Sequence, residues 1–203
     1  METRRISQPV ELRDGDNGKM ATGYAAIFHR EGDDSTEFTL WDGQTERIMP
    51  GAFDRALSES HDVRALVNHD PNQLLGRTAA GTLRLSVDSV GLRYEIDIAD
   101  TQAGRDAVTS LERGDLSGSS FAFSIPENGQ KFTDGYRSIL DVNLFDVGPV
   151  AYPAYSGTEA GVRAEHVAEA RSAFDVYQKT VAALRKMDAE DRERRIRLLT
   201  IDD

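Results

Sequence analysis

Over much of the first 150 residues, hydrophobic and polar positions alternate with a period of two, which predicts strands. Residues 1–19 are mostly polar, with an alternating Val10, Leu12 pair that suits a short edge strand before the turn signal at Asp14 to Gly18. Met20 to Phe28 (MATGYAAIF) reads as a buried strand, and the polar residues from Glu31 as a loop. Val63 to Asp70 places Val63, Ala65, Val67 and His69 on one face and stops at Pro71-Asn72. Leu83, Leu85 and Val87, then Leu92, Tyr94, Ile96 and Ile98, predict a hairpin joined through Asp88 to Gly91. Within Leu116 to Ile125 (LSGSSFAFSI), a strand from Ser120 puts Phe121, Phe123 and Ile125 on one face and Ser120, Ala122 and Ser124 on the other. Tyr136 to Val147 is a further long β stretch, with Leu140, Val142, Leu144 and Asp146 sharing a face, before Gly148-Pro149 and Pro153 interrupt the pattern.

Three stretches carry the helical period instead. Arg47 to Leu57 passes through Pro50-Gly51 into a short helix with Ala52, Phe53, Ala56 and Leu57 on one side. Asp100 or Thr101 can cap a helix running to about Arg113, with Ala107, Val108 and Leu111 inward and Gly114 as its stop. From near Thr158, Val167, Ala170, Phe174, Tyr177, Val181 and Leu184 recur at alternating three- and four-residue intervals, a seam on one helix side. The expected fold class is α+β, mainly β. It would be a curled antiparallel sheet or β-barrel of about seven strands with peripheral helices over residues 1–158, then a helical tail over residues 159–203.

Composition narrows the function classes. The 203 residues are 39% hydrophobic and 29% charged, with no apolar run near the length of a membrane span. No apolar segment follows the basic N-terminal residues, so neither a secretory signal nor a membrane is expected. A formal net charge of −11 argues against nucleic-acid binding through phosphate neutralisation. Nearly all of it lies before Glu159, since the tail carries nine basic and ten acidic residues. With no cysteine there is no disulfide or thiol chemistry, and the cytoplasm is the default compartment.

Polar residues interrupt an otherwise apolar strand face at His69 and Asp146, and Ser120 begins a strand whose reverse face carries two Phe rings. A serine, a histidine and a carboxylate are the types that make a nucleophile, its base and the group that orients the base. Each has a bland alternative, such as a strand serine or a core histidine bonded to a carbonyl. A buried carboxylate is harder to dismiss, because it needs a cationic or N–H partner. Ser119 is the rival nucleophile, but alternation turns it toward the Phe face. Metal binding at His69 with Asp70 or His61 is disfavoured, since adjacent strand residues point to opposite faces and no HExxH is present. His29 and His166 read as surface residues.

The segments TGYAAIF at Thr22, RIMPGAF at Arg47, VRALVNHDPNQLLGRTAAGTLRL at Val63, GLRYEIDIADT at Gly91, RGDLSGSSFAFSI at Arg113 and VNLFDVGPVAYPAY at Val142 carry a resemblance. Together, in this order, they resemble the prohead maturation proteases of tailed bacteriophages, serine peptidases whose fold is similar to that of the herpesvirus assemblins. The resemblance covers about residues 20–156. It implies that His69 is the base and Ser120 the nucleophile. For the third member the family often shows Glu where this chain has Asp146, and assemblins use a second His, so His61 and Asp141 stay as alternatives to Asp146.

The implied activity is a cofactor-free serine endopeptidase acting inside the immature prohead, in the host cytoplasm. Its partners would be the major capsid protein with its scaffold segment, and its own chain through autocleavage. An inactive scaffold or assembly chaperone and a small-molecule acyl hydrolase are the rival readings. The tail seam, flanked by Glu165, Arg171, Asp175 and Lys179, suits either docking on a helical scaffold segment or packing on the chain's own barrel, including a homodimer contact. Gly157 to Gly161 would be the exposed connection where self-cleavage could free it.

Overall fold

The structure, a computed structural model, describes residues 1–203 except 16, 17, 42, 134, 154–163 and 200–203, and within the C-terminal helix the side chains of residues 170–187. The described strands are β1 (Glu2–Ile6), β2 (Glu11–Gly15), β3 (Gly18–Ile27), β4 (Glu37–Trp41), β5 (Gln44–Ile48), β6 (Arg64–Leu66), β7 (Leu74–Arg77), β8 (Leu83–Val87), β9 (Gly91–Ile98), β10 (Gly118–Ser124), β11 (Gln130–Thr133), β12 (Tyr136–Ile139) and β13 (Asn143–Val150). The helices are α1 (Asp54–Ser58), α2 (Gln102–Arg113) and α3 (Ala164–Leu199).

These strands form three sheets, ordered β1-β10-β13-β6-β7, β2-β3-β9-β8 and β11-β12-β5-β4. The mainly β class holds, but among the described residues no closed barrel forms and the strands exceed the expected seven. Most pairs are antiparallel; β13 with β6 and β12 with β5 are parallel. The expected single stretch from Tyr136 to Val147 is two strands in different sheets. The backbone turns between them because the amides of Leu140 and Asp141 both donate to the Gly129 carbonyl, at 2.8 and 3.0 Å. Leu140, expected inward, is left exposed. Gly148 and Pro149, expected to end the strand, instead lie within β13.

Elsewhere local chemistry forms the elements that the pattern predicts. Asp88 Oδ1 accepts from the amides of Val90 and Gly91 and closes the β8–β9 hairpin, which pairs Val87 with Leu92. The Thr101 side chain caps α2 by accepting from the Gly104 amide, and Gly114 ends it in the left-handed conformation at φ 80°. The core joins the sheets around Tyr94, Ile96, Phe53, Phe121 and Phe123. Phe121 stacks on Phe123 at 4.9 Å between ring centroids and meets Phe53 edge-on at 5.5 Å, which anchors β10 from behind.

The chain divides into two compact units, Met1–His166 and Val167–Asp203. In the second, Ala170 is buried, Phe174, Tyr177 and Val181 are partly covered, and Leu184 is 55% exposed. The Phe174 and Tyr177 rings lie 6.1 Å apart. Val167 and His166 lie outside the described side chains, and Gly157 to Gly161 outside the described residues.

Candidate active site

Three adjacent elements of the five-stranded sheet bring the sequence-predicted residues together. Ser120 sits in β10 opposite Gly148 of β13, and two residues along the same pair of strands Ala122 faces Asp146. β6 runs parallel to β13 on its other side, aligning Arg64 with Asp146, and the chain leaving β6 carries His69 back over the sheet. His69 Nε2 lies 2.6 Å from Ser120 Oγ, and His69 Nδ1 lies 2.5 Å from Asp146 Oδ1. The imidazole and carboxylate are largely covered, at 13% and 8% side-chain exposure, and Ser120 is wholly buried.

His69 is not on a strand. β6 stops at Leu66, and Asn68 and His69 both adopt positive φ, 54° and 61°. Left-handed backbone at two successive non-glycine residues is strained and persists only where its surroundings enforce it. Here the Asn68 amide donates to the Pro149 carbonyl at 3.1 Å, and Asn68 Oδ1 accepts from the Ala151 amide at 3.0 Å. The Asp70 amide donates to Val67 O at 3.0 Å, closing the turn. Asn68, which sequence reasoning passed over, thus ties the His69 turn to the end of β13. Its left-handed tolerance next to a histidine was the signal available in the sequence.

Beneath this turn, Gly148 has φ 155°, and a Cβ on it would lie 2.1 Å from the Leu66 carbonyl oxygen. Only glycine lets β6 approach β13 this closely.

The alternatives fall elsewhere. Asp141 accepts from Arg55 Nε at 2.6 Å, and His61 Nε2 lies 3.2 Å from Glu59 and 3.5 Å from Arg55, so both belong to a cluster around Arg55. Ser119 points to the opposite face from Ser120, where its hydroxyl shares a 2.8 Å hydrogen bond with buried Tyr94. Burial pushes the Tyr94 phenol well above its usual pKa. His29, expected on the surface, has a side chain only 13% exposed and lies 3.6 Å from Glu37. No group of three or more metal-ligand side chains occurs among the described residues, and no described helix is long and apolar enough to cross a membrane.

Of the strands that sequence reasoning missed, the one that touches the serine is β1. It forms the edge of the sheet beside β10, with Arg5 opposite Ser120, and Ser120 Oγ donates to the Arg4 carbonyl at 2.7 Å. Its inward residues, Glu2 and Arg4, join Glu46 of β5 and Arg137 of β12 in a buried four-charge cluster. Arg4 Nε donates to Glu46 Oε1, and Arg4 Nη2 donates to Glu46 Oε2 at 2.8 Å and to Glu2 Oε2 at 2.6 Å. Arg137 donates to both Glu2 oxygens and to Glu46 Oε2, each at 2.7 Å. Two acids and two bases make the cluster neutral, which is how four buried charges are tolerated. Burial pushes the Glu2 carboxyl up, but hydrogen bonds and charge from Arg137 and Arg4 outweigh it and hold it below the usual carboxylate range. Burial likewise works against the Arg4 charge, and Glu46 and Glu2 more than reverse it.

No curated protein matches the sequence. Among solved structures, the chain is similar to the bacteriophage T4 capsid assembly protease. The TM-score is 0.52 at 13% identity, over 74% of this chain and 96% of that one, a likeness of fold. The family model described as caudovirus prohead serine protease matches residues 7–173, most of the chain. By that match the chain belongs to the caudovirus prohead serine proteases.

Proposed function

We propose that this member of the family is a serine endopeptidase in which Ser120 is the nucleophile, His69 the general base and Asp146 the residue that orients it. The observation that carries the reading is the continuous relay from Ser120 Oγ through both imidazole nitrogens to Asp146 Oδ1. Asp146 accepts from His69 Nδ1–H, which leaves Nε2 free to take the serine proton. As that proton moves, Oγ bonds to the carbonyl carbon of the scissile peptide and the carbonyl π pair moves onto its oxygen. Collapse breaks the C–N bond, and His69 Nε2–H passes the proton to the departing amine. Water repeats the sequence on the acyl-enzyme, freeing the acid and restoring the serine. These steps use only this chain's residues and water.

The substrates proposed are capsid assembly proteins: the scaffold, or a scaffold-like N-terminal segment of the major capsid protein, and the enzyme's own chain. The capsid assembly protease of bacteriophage T4, similar in fold, supports this choice, as does the family itself. The reaction would take place inside the immature prohead in the host cytoplasm. Incubating wild type and Ser120→Ala with a capsid protein that carries its scaffold segment tests the reading. Cleavage by the wild type should fall by about 10⁴ or more in the variant, with the melting temperature kept. An active Ser120→Ala would refute the assignment.

The protease is assigned to residues 1–158 and a docking role to the helical tail, whose partly covered Phe174, Tyr177 and Val181 recur on one side. A chain ending at Thr158 is expected to cleave in solution but to stay outside proheads when co-expressed with capsid protein. Normal packaging of that chain would remove the docking role.

A further inference from the structure

The ladder between β10 and β13 is regular except at one point. Phe123 pairs with Leu144 and Ala122 with Asp146, so Phe145 is an extra residue on β13, a bulge. Leu144 and Val147, three positions apart, both belong to the core, and Asp146 points the other way, to His69. Leu144 and Asp146, expected on one face, are thereby set on opposite faces. Phe145 is 40% exposed and so stands on the open face of the sheet, the face that carries the relay.

Neither register nor core packing accounts for a phenylalanine here. Without it, Leu144, Asp146 and Val147 would alternate regularly against Phe123, Ala122 and Phe121, and the carboxylate would keep its direction. On the open face its strand neighbours are polar. Asp146 is bonded to His69, and Asn143 donates from its amide nitrogen to Ser124 Oγ at 3.2 Å while its Oδ1 accepts from Arg55 at 2.8 Å. Among the described residues of β6, β10 and β13, Phe145 is the only large apolar side chain that is exposed. A bulge beside an active site serves to re-aim a side chain, and here it presents an aromatic ring next to the orienting carboxylate.

The ring is also within reach of the chemistry. Ala122, the residue opposite the bulge, lies two positions from Ser120 along β10, or about 7 Å. A peptide whose scissile carbonyl meets Ser120 Oγ therefore brings a residue one or two positions from the cut to the ring.

We propose that the Phe145 ring is a substrate contact, packing against an apolar side chain one or two positions from the scissile bond, and that this contact selects the bond to be cut. The proposal rests on the reading of Ser120, His69 and Asp146 as the relay of an endopeptidase.

Wild type, Phe145→Ala and Phe145→Leu are compared as full chains by two measurements. One is kcat/KM on a capsid protein that carries its scaffold segment, and the other is the rate at which a small fluorophosphonate labels Ser120. Small changes in an apolar contact shift kcat/KM by about 10- to 200-fold. Phe145→Ala should therefore cleave at least about tenfold less efficiently, mainly through KM, and Phe145→Leu should recover most of the loss because it keeps an apolar surface. Labelling, which takes place at Oγ, should stay within about threefold of wild type in both variants. Mass spectrometry of the wild-type products should find an apolar residue one or two positions from each cut. A fall in cleavage smaller than about tenfold in Phe145→Ala, no recovery in Phe145→Leu, or cuts without a nearby apolar residue would each overturn the contact. A parallel fall in labelling would place the effect in the relay and overturn the contact while leaving the catalytic reading standing. Cleavage by none of the chains, wild type included, would overturn the endopeptidase reading and the contact with it.

Discussion

Gly148→Ala probes the link between backbone packing and chemistry. The added Cβ would lie 2.1 Å from the Leu66 carbonyl oxygen and 3.0 Å from its carbon, and both are backbone atoms that no rotamer change can move. Raising the first contact to 3.0 Å, itself tighter than ordinary packing, requires β6 and β13 to part by about 0.9 Å. The positive φ of 155° adds strain of its own for an L side chain. Leu66 is the last residue of β6, three before His69, and the turn between them hangs from the Pro149 carbonyl and the Ala151 amide. Parting the strands therefore moves the imidazole relative to Ser120 and Asp146 by a comparable distance. A displacement of about 1 Å at a catalytic group lowers rates by roughly 10²-fold. Overpacking of this kind destabilises by about 1–3 kcal/mol, or some 2–12 °C at roughly 2–4 °C per kcal/mol in a domain of this size. The assay pairs fluorophosphonate labelling with a thermal melt. Labelling within about threefold of wild type, at an unchanged melting temperature, would refute the reasoning.

Two further outcomes follow from the site and from the charged cluster. Asp146→Asn should keep the fold and lose about 10⁴ in turnover, because an amide at that position supports the wrong imidazole tautomer; normal cleavage would place the orienting group elsewhere. Glu2 is held below its ordinary pKa, so its contribution to stability is complete above about pH 4.5 and is lost as pH falls through its depressed folded value. Glu2→Gln should therefore melt lower than wild type at neutral pH, by up to about 3–5 kcal/mol and less if β1 simply detaches. The gap should close on acidification below pH 4.5, and a gap constant down to pH 3 would show that Glu2 is not the titrating group.

Alternation made Asp146 legible as a candidate because it interrupts an apolar face, and Ser120 because it begins a strand whose reverse face is apolar, where the rings of Phe121 and Phe123 do lie. It found His69 for a reason that the structure corrects. The residue lies beyond the end of β6, and two left-handed residues, not strand geometry, turn it toward the sheet. A period-two pattern cannot register such a turn, because the information lies in hydrogen bonds from Asn68 to residues more than 80 positions away. β1 was invisible for a different reason. Its inward face is Glu2 and Arg4 with Ile6 alone apolar, and hydropathy scores as polar what mutual neutralisation makes fit for a core. The break that puts β12 and β13 in different sheets was also out of reach, since it turns on two amides sharing the Gly129 carbonyl.

The order of strands in the five-stranded sheet sets a timetable for synthesis. β1 is made before β10, and the nucleophile its carbonyl touches lies 116 residues later. At about 5–20 residues per second that separation is roughly 6 to 23 s, and β13, which supplies Asp146, follows later still. The contacts among serine, histidine and carboxylate span 51 and 77 residues, so no nascent fragment short of β13 contains them all. By the time the relay can form, β1 has already been made and is tethered to the same molecule, which raises its effective concentration at the freshly made edge of β10. The relay can therefore be completed only after β13 has been made, with β1 already within reach of β10.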